Sequence, residues 1–224
     1  MYYKFLLNYF KNKNFNQMKK EFIIKVCGMR KPDNIKEILN LDINMMGFIF
    51  YRSSPRSAQL IPERINFNTT SKVGVFVDAS LNEVVKKAMS FHLDYLQLHG
   101  KESPEYCMNL KKYEKKIIKA FSIDIDFDFG LCMNYLNAAD YFLFDTKGKL
   151  KGGNGKIFDW NILKRYNLNK PFLLSGGISP EHLQEIKKFT HPQFAGIDIN
   201  SGFEIKPGIK NYKKLKHFIH ELRN

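Results

Sequence analysis

Apolar residues in this chain gather into short runs separated by polar, turn-forming stretches, and none approaches the length of a membrane span. The first is Phe22 to Cys27 (FIIKVC), stopped by Gly28. A strand alternates its faces, so Ile23, Lys25 and Cys27 share one side, while Phe22, Ile24 and Val26 share the other. A lysine and a thiol therefore stand together, with the thiol at the strand's carboxyl end. The same kind of run returns at Met45 to Phe50, Lys72 to Val77, Asp94 to Leu98, Lys116 to Phe121, Tyr141 to Phe144, Pro171 to Leu174 and Phe194 to Ile199.

Helical signals alternate with these strands. Pro32 to Leu41 has proline and Asp33 in its first turn and Ile35, Ile38 and Leu39 at helical spacing. A second helix carries Leu81, Val84, Val85 and Ala88, and a third opens on Ser103 as cap and Pro104 as first residue. Further helices are expected over 126–138, 159–166, 180–189 and 211–223. Eight strands alternating with helices predict an α/β fold, a single-domain (β/α)8 TIM barrel. A doubly wound open sheet shares the alternation, but CGMRKPDN after the first strand lacks the glycine fingerprint such sheets carry.

Residues 21–224 are assigned to this catalytic barrel and residues 1–20 to an N-terminal extension outside it. The opening MYYKFLLNYFKNKNFNQ lacks the apolar stretch and cleavage site of a secretory signal, and Met18 stands just before Lys19, Lys20 and the first strand. Residues 1–17 are therefore read as a dispensable extension that an upstream start would produce.

Composition changes this picture little. At 224 residues the chain suits one barrel, and its 44% hydrophobic and 14% aromatic content is that of a globular protein. Cys27, Cys107 and Cys132 form no CxxC pair, which argues against a disulfide framework or zinc ribbon and suits a reducing cytoplasm. The net charge of +14 raises nucleic acid and membranes as partners, yet the lysines are spread along the chain without an aromatic-lined cluster. The charge reads as a solvated surface that also favours a small anion. The expected partner is a phosphorylated small molecule, with no nucleic acid and no membrane, and the protein is expected to be a monomer or homodimer.

In a barrel the chemistry sits at the carboxyl ends of the strands. Those ends carry Cys27, then Ser54, Pro55 and Arg56, then Gln97 and His99, then Asp145, then Ser175, Gly176 and Gly177, and finally Asp198, Asn200 and Ser201. Period two aims Asp145 and Asp198 into the barrel mouth. The small residues Gly176, Gly177, Ser201 and Gly202 let an anion approach the backbone after the last two strands, which is read as a phosphate site.

Three other patterns are set aside. Asp124, Asp126 and Asp128 resemble a calcium loop, but Phe129 replaces its turn glycine and Tyr135 its bidentate glutamate. GGNGKI resembles a nucleotide P-loop, but Ile157 stands where a hydroxyl is required and Leu150 where the first glycine is. His217 and His220 have no third ligand near them in the sequence, so no metal site is expected.

The motifs KVCGMR, GFIFYRSSPR, VGVFV, LQLHG, FDTK followed by GGNGK and FDW, LSGGI and DINSGFE occur in an order and spacing that resemble the phosphoribosylanthranilate isomerases of tryptophan biosynthesis, from about Phe22 to the end. The resemblance implies a cofactor-free, metal-free Amadori rearrangement of N-(5'-phosphoribosyl)anthranilate. It implies Asp145 as general acid and Cys27 as general base, with Lys25 favouring the thiolate. Arg56 would hold the anthranilate carboxylate and Asp198 would lie near the sugar hydroxyls, with Gln97 and His99 counted among the substrate-binding residues. Gly176, Gly177, Asn200, Ser201 and Gly202 would hold the phosphate, and the Lys147 to Lys156 loop would act as a mobile lid. One departure stands out: the family often has two serines where this chain has Asn200 and Ser201. The rivals are another phosphate-binding barrel, such as the isomerase of histidine biosynthesis, which would carry aspartate in place of Cys27, and a basic RNA-binding barrel.

Overall fold

The computed structural model describes residues 22–58, 61–62, 64–146 and 160–224. The extension assigned to 1–20, the Lys147 to Lys156 loop and the GGNGKI motif lie outside the described residues. Eight parallel strands close in chain order: β1 (Ile23–Val26), β2 (Met45–Ile49), β3 (Ser71–Phe76), β4 (Tyr95–Leu98), β5 (Lys116–Ile123), β6 (Tyr141–Thr146), β7 (Phe172–Ser175) and β8 (Phe194–Ile199). The last strand pairs with the first, Ile23 beside Gly196 and Lys25 beside Asp198, so no edge of this sheet is left open.

Alternation sorts the strand side chains into two cores. Ile23, Met45, Val73, Tyr95, Ile118, Leu143, Leu173 and Ala195 fill the barrel interior. Val26, Met46, Phe48, Phe76, Leu96, Phe142, Phe144 and Ile197 face outward and are buried with helix residues such as Ile35, Val84, Leu215 and Phe218. Full burial of side chains this size stabilises by about 1.5–3 kcal/mol each. Because both faces are covered, the strands are predominantly apolar, which is why they stood out as runs.

The helices are α1 (Pro32–Ile38), α2 (Leu81–Ser90), α3 (Pro104–Lys111), α4 (Leu183–Lys188) and α5 (Tyr212–Arg223). Ser103 caps α3 as its sequence implies, its hydroxyl accepting from the Tyr106 N–H at 3.1 Å. No helix among the described residues is long and apolar enough to cross a membrane.

Two expected helices take a tighter form. Within 126–138 and 159–166 the chain makes 3-10 turns, Phe129–Tyr135 and Trp160–Arg165. Aromatic packing accounts for the first: Phe129 sits edge-on to Phe144 and Tyr166, with ring centroids at 5.5 and 5.7 Å. The expected helix at 180–189 divides into a 3-10 turn, Pro180–His182, and the short α4. Sequence reasoning also passed over a small antiparallel hairpin, β9 (Glu204–Lys206) and β10 (Ile209–Lys210), inserted between β8 and α5.

On the outer face of β5, Lys119 is buried. Its ammonium donates to the Leu98, Gly100 and Ala120 carbonyls at 3.1, 2.7 and 3.2 Å and to Glu102 at 3.0 Å. Glu102 in turn accepts from the Asp78 and Gly100 N–H groups. This pair binds together the ends of β3, β4 and β5.

Candidate active site

At the carboxyl ends of the strands lies a cavity of about 170 Å³. Cys27, Gln97, His99, Asp145 and Asp198 line it, as do Gly176, Gly177, Asn200 and Ser201. Arg56 and Gly202, also named from the sequence, are not part of its lining. Gly202 lies in the 3-10 turn Ser201–Phe203, closely packed on the Ile178 carbonyl.

Backbone pairing continues past the strand ends and so fixes where these side chains begin. The Cys27 N–H donates to the Ile199 carbonyl at 2.9 Å and the His99 N–H to the Phe76 carbonyl at 2.8 Å. The Cys27 thiol occupies space that a neighbour leaves vacant: a Cβ on Gly47 of β2 would stand 2.7 Å from its sulfur. Any side chain at Gly47 would displace the thiol.

Below Cys27, Lys25 is fully buried and donates to Asp198 at 2.8 Å. Asp198 and the Cys27 thiol are its hydrogen-bonding partners among the described residues. Burial works against the Lys25 charge, but Asp198 and Cys27 outweigh it, so its pKa rises and it stays cationic. Burial pushes the Cys27 thiol above its ordinary value; Lys25 and Lys210 pull the other way, and Asp198 adds to the rise. The resting thiol is therefore neutral at pH 7, with two cations in place to stabilise its anion.

The other side of the mouth is wetter. Asp145 is 35% exposed and His99 29%. Gln97 Nε2 lies 3.0 Å from His99 Nδ1, and His99 Nε2 lies 3.2 Å from Asp145 Oδ2, so the three side chains form a row. Gln97 Oε1 is buried with no hydrogen-bond partner among the described residues. After β7, Gly176 and Gly177 both take positive φ, 97° and 66°, and nothing lies within 4 Å of where a Gly177 side chain would begin. This reversal gives a ligand access to backbone, the geometry of an anion cradle.

Arg56 is tied down beside the cavity. Its Nε lies 3.0 and 2.9 Å from the two Glu204 carboxylate oxygens, and its Nη2 donates to one of them at 2.6 Å. Glu204 also accepts from Lys210 at 2.8 Å, and Lys210 donates to the Asn200 side-chain oxygen at 2.7 Å. Sequence reasoning missed Glu204 and Lys210 as site neighbours; the signal was Glu204 at the end of the DINSGFE motif.

Of the patterns set aside, Asp128 caps a turn by accepting from the Gly130 N–H at 2.8 Å. The described residues hold no group of three or more His, Cys, Asp or Glu side chains arranged for a metal.

A closed eight-stranded parallel barrel whose thiol, carboxyls and positive-φ glycines line one cavity at the carboxyl ends of its strands has the layout of a (β/α)8 enzyme. Residues 24–221 match the sequence model of N-(5'-phosphoribosyl)anthranilate isomerase, and the chain belongs to that family. It is 51% identical over 205 residues to the N-(5'-phosphoribosyl)anthranilate isomerase of Parabacteroides distasonis, covering 89% of this chain and 93% of that protein. The phosphoribosyl anthranilate isomerase of Thermotoga maritima superposes with a TM-score of 0.74 at 28% identity, covering 90% of this chain and 98% of that one. A phosphoribosyl anthranilate isomerase solved with reduced 1-(o-carboxyphenylamino)-1-deoxyribulose 5-phosphate superposes with a TM-score of 0.72 at 25% identity, covering the same 90% and 98%.

Proposed function

We propose that this enzyme converts N-(5'-phosphoribosyl)anthranilate to 1-(2-carboxyphenylamino)-1-deoxyribulose 5-phosphate in tryptophan biosynthesis, with Asp145 as general acid and Cys27 as general base. The observation that carries the assignment of roles is the contrast between the two groups facing one cavity. Cys27 is buried beside two cations, whereas Asp145 is partly solvated and paired with a histidine. Acid and base on opposite sides of one sugar require such opposed environments.

Asp145 gives its proton to the furanose ring oxygen; the ring C1–O bond breaks and an iminium forms between C1 and the anthranilate nitrogen. The Cys27 thiolate removes the C2 proton, and the electron pair moves to make an enolamine. Loss of the O2 proton and gain of a proton at C1 then yield the ketone. To begin, the acid must hold a proton. His99 Nε2, 3.2 Å from Asp145 Oδ2, is placed to exchange a proton with this carboxyl, while Gln97 holds the ring through Nδ1. Gln97 and His99 thus serve the sugar through Asp145.

The anthranilate carboxylate is assigned to Arg56, whose planar fork suits a planar anion. The phosphate is assigned to the backbone of the Gly176–Gly177 reversal and the Asn200–Ser201 turn. The Asn200 side-chain oxygen is engaged by Lys210, which supports a backbone role for this position rather than that of a serine hydroxyl.

The test is turnover of freshly generated N-(5'-phosphoribosyl)anthranilate, followed by loss of its fluorescence. The native chain is expected to be active, with Cys27→Ala and Asp145→Ala each slower by about 10²-fold or more. A folded native chain without activity would sink the assignment.

A further inference from the structure

The cluster formed by Arg56, Glu204 and Lys210 is electrically unbalanced. Two cations share one carboxylate: Glu204 is 5% exposed, Lys210 is fully enclosed, and Arg56 is 22% exposed. Burial alone would raise the Glu204 pKa, but the Arg56 and Lys210 hydrogen bonds overturn this and hold it below the usual carboxylate range. Burial lowers the Lys210 pKa and Arg56 adds to the fall, while the Glu204 hydrogen bond and charge oppose it; with both cations charged, the cluster keeps one uncompensated positive charge. Its only solvent-accessible cation is Arg56, so a ligand meets that charge there.

The direction of the guanidinium follows from which nitrogens Glu204 engages. Nε and Nη2 face the carboxylate, and among the described residues Nη1 has no hydrogen-bond partner. The Nη1–Nη2 edge remains available for a second planar anion. Its location is fixed by Gly28, which follows Cys27: a Cβ there would stand 3.0 Å from Arg56 Cδ and 2.6 Å from the Asn200 side-chain oxygen. The arginine thus lies across the turn that carries the candidate base.

We infer that Glu204, held in place by Lys210, is a positioning residue that aims Arg56 at the carboxylate of the aromatic amine. The inference rests on the substrate proposed above and deepens it: selection for a carboxylated aniline over a plain one is built by the hairpin β9–β10, not by the cavity lining. Glu204 touches no reacting atom. Its removal leaves the arginine charged but free to swing, so the effect appears in binding of one substituent.

The experiment compares two substrates, N-(5'-phosphoribosyl)anthranilate and its aniline counterpart without the carboxylate, in the native chain, Glu204→Gln and Arg56→Ala. Glu204→Gln is expected to raise KM for the carboxylated substrate about 10-fold with kcat changed less than about 3-fold, and to shift kcat/KM for the aniline compound by less than about 2-fold. In an Arg56→Ala background the glutamine change should add nothing further. If Glu204→Gln does not fold, Arg56→Lys tests the same geometry. It keeps the charge and loses the Nε edge, so the same carboxylate-selective KM rise is expected. Equal losses on both substrates, from either variant, would overturn the inference as mere destabilisation. A native chain inactive on both compounds would overturn the proposed function itself, and the role of Glu204 with it.

Discussion

Two lysines are buried in the strands of this barrel, and they show how the same side chain is used for opposite ends. Lys119 faces outward from β5 and directs its three N–H groups at four fixed oxygens, three of them backbone carbonyls. Lys25 faces inward from β1 and meets one carboxylate, Asp198, and one thiol. The first is saturated by atoms that cannot leave, so it pins loops together. The second has an N–H to spare and a partner whose charge changes during a proton transfer, so it is available for chemistry. Burial alone does not distinguish them; saturation does.

The sharpest way to break this distinction is Lys119→Met. It leaves Glu102 buried without its cation, and a loss of about 3–5 kcal/mol is expected in urea unfolding, with near-native turnover per folded molecule. If turnover per folded molecule fell with stability, Lys119 would not be a purely structural pin. Lys25→Met should behave in reverse, slowing turnover of the folded enzyme by about 10²-fold. Its stability cost should be the smaller, because burial already raises the Asp198 pKa and a lone carboxyl there can take up a proton.

The pH profile refines the same point. The reactive form of Cys27 is the thiolate and burial raises its pKa, so the rate at which this thiol is alkylated should climb as pH rises above neutral. Lys25 lowers that pKa, so in Lys25→Met the climb should move to higher pH; a shift to lower pH, or none, would refute the electrostatic role. Iodoacetamide gives a further check. Cys107 and Cys132 lie away from the cavity with burial pushing their thiols up to about 11 and about 12, so in the folded enzyme label should appear on Cys27 alone, faster with rising pH. The smallest effect concerns a third buried lysine. Asn200→Ser removes one acceptor of Lys210 and should cost about 1 kcal/mol of stability, with little change in KM if backbone holds the phosphate.

The eight strands were legible because each is buried on both faces and bounded by turn residues, and the alternation within FIIKVC put Lys25 and Cys27 together on the inner side. The 3-10 turns at Phe129–Tyr135 and Trp160–Arg165 were read as helices because apolar spacing does not reveal how tightly neighbouring rings will draw the chain in. In β8 the period also breaks: Phe172 pairs with Phe194 but Leu173 with Gly196, so the extra residue, Ala195, joins the interior core. Strand ends named ten residues that line the cavity, since one end of a barrel collects them whatever their separation. The β9–β10 hairpin, with strands of three and two residues around Pro207 and Gly208, carries no periodic signal. Its contact with Arg56 spans 148 positions, a distance over which no local pattern speaks.

The Lys25–Asp198 bond also has a bearing on how the chain is made. Its partners are 173 positions apart, on the first strand and the last, so during synthesis the lysine emerges long before its counter-ion. Until β8 arrives, a closed and dry interior would enclose a bare ammonium at a cost of several kcal/mol. A partly made barrel must therefore stay open and wet around β1, and it gains nothing by collapsing early into a sealed half-structure. The charge in the middle of the barrel acts as a check that the final strand is in place before the interior can shut.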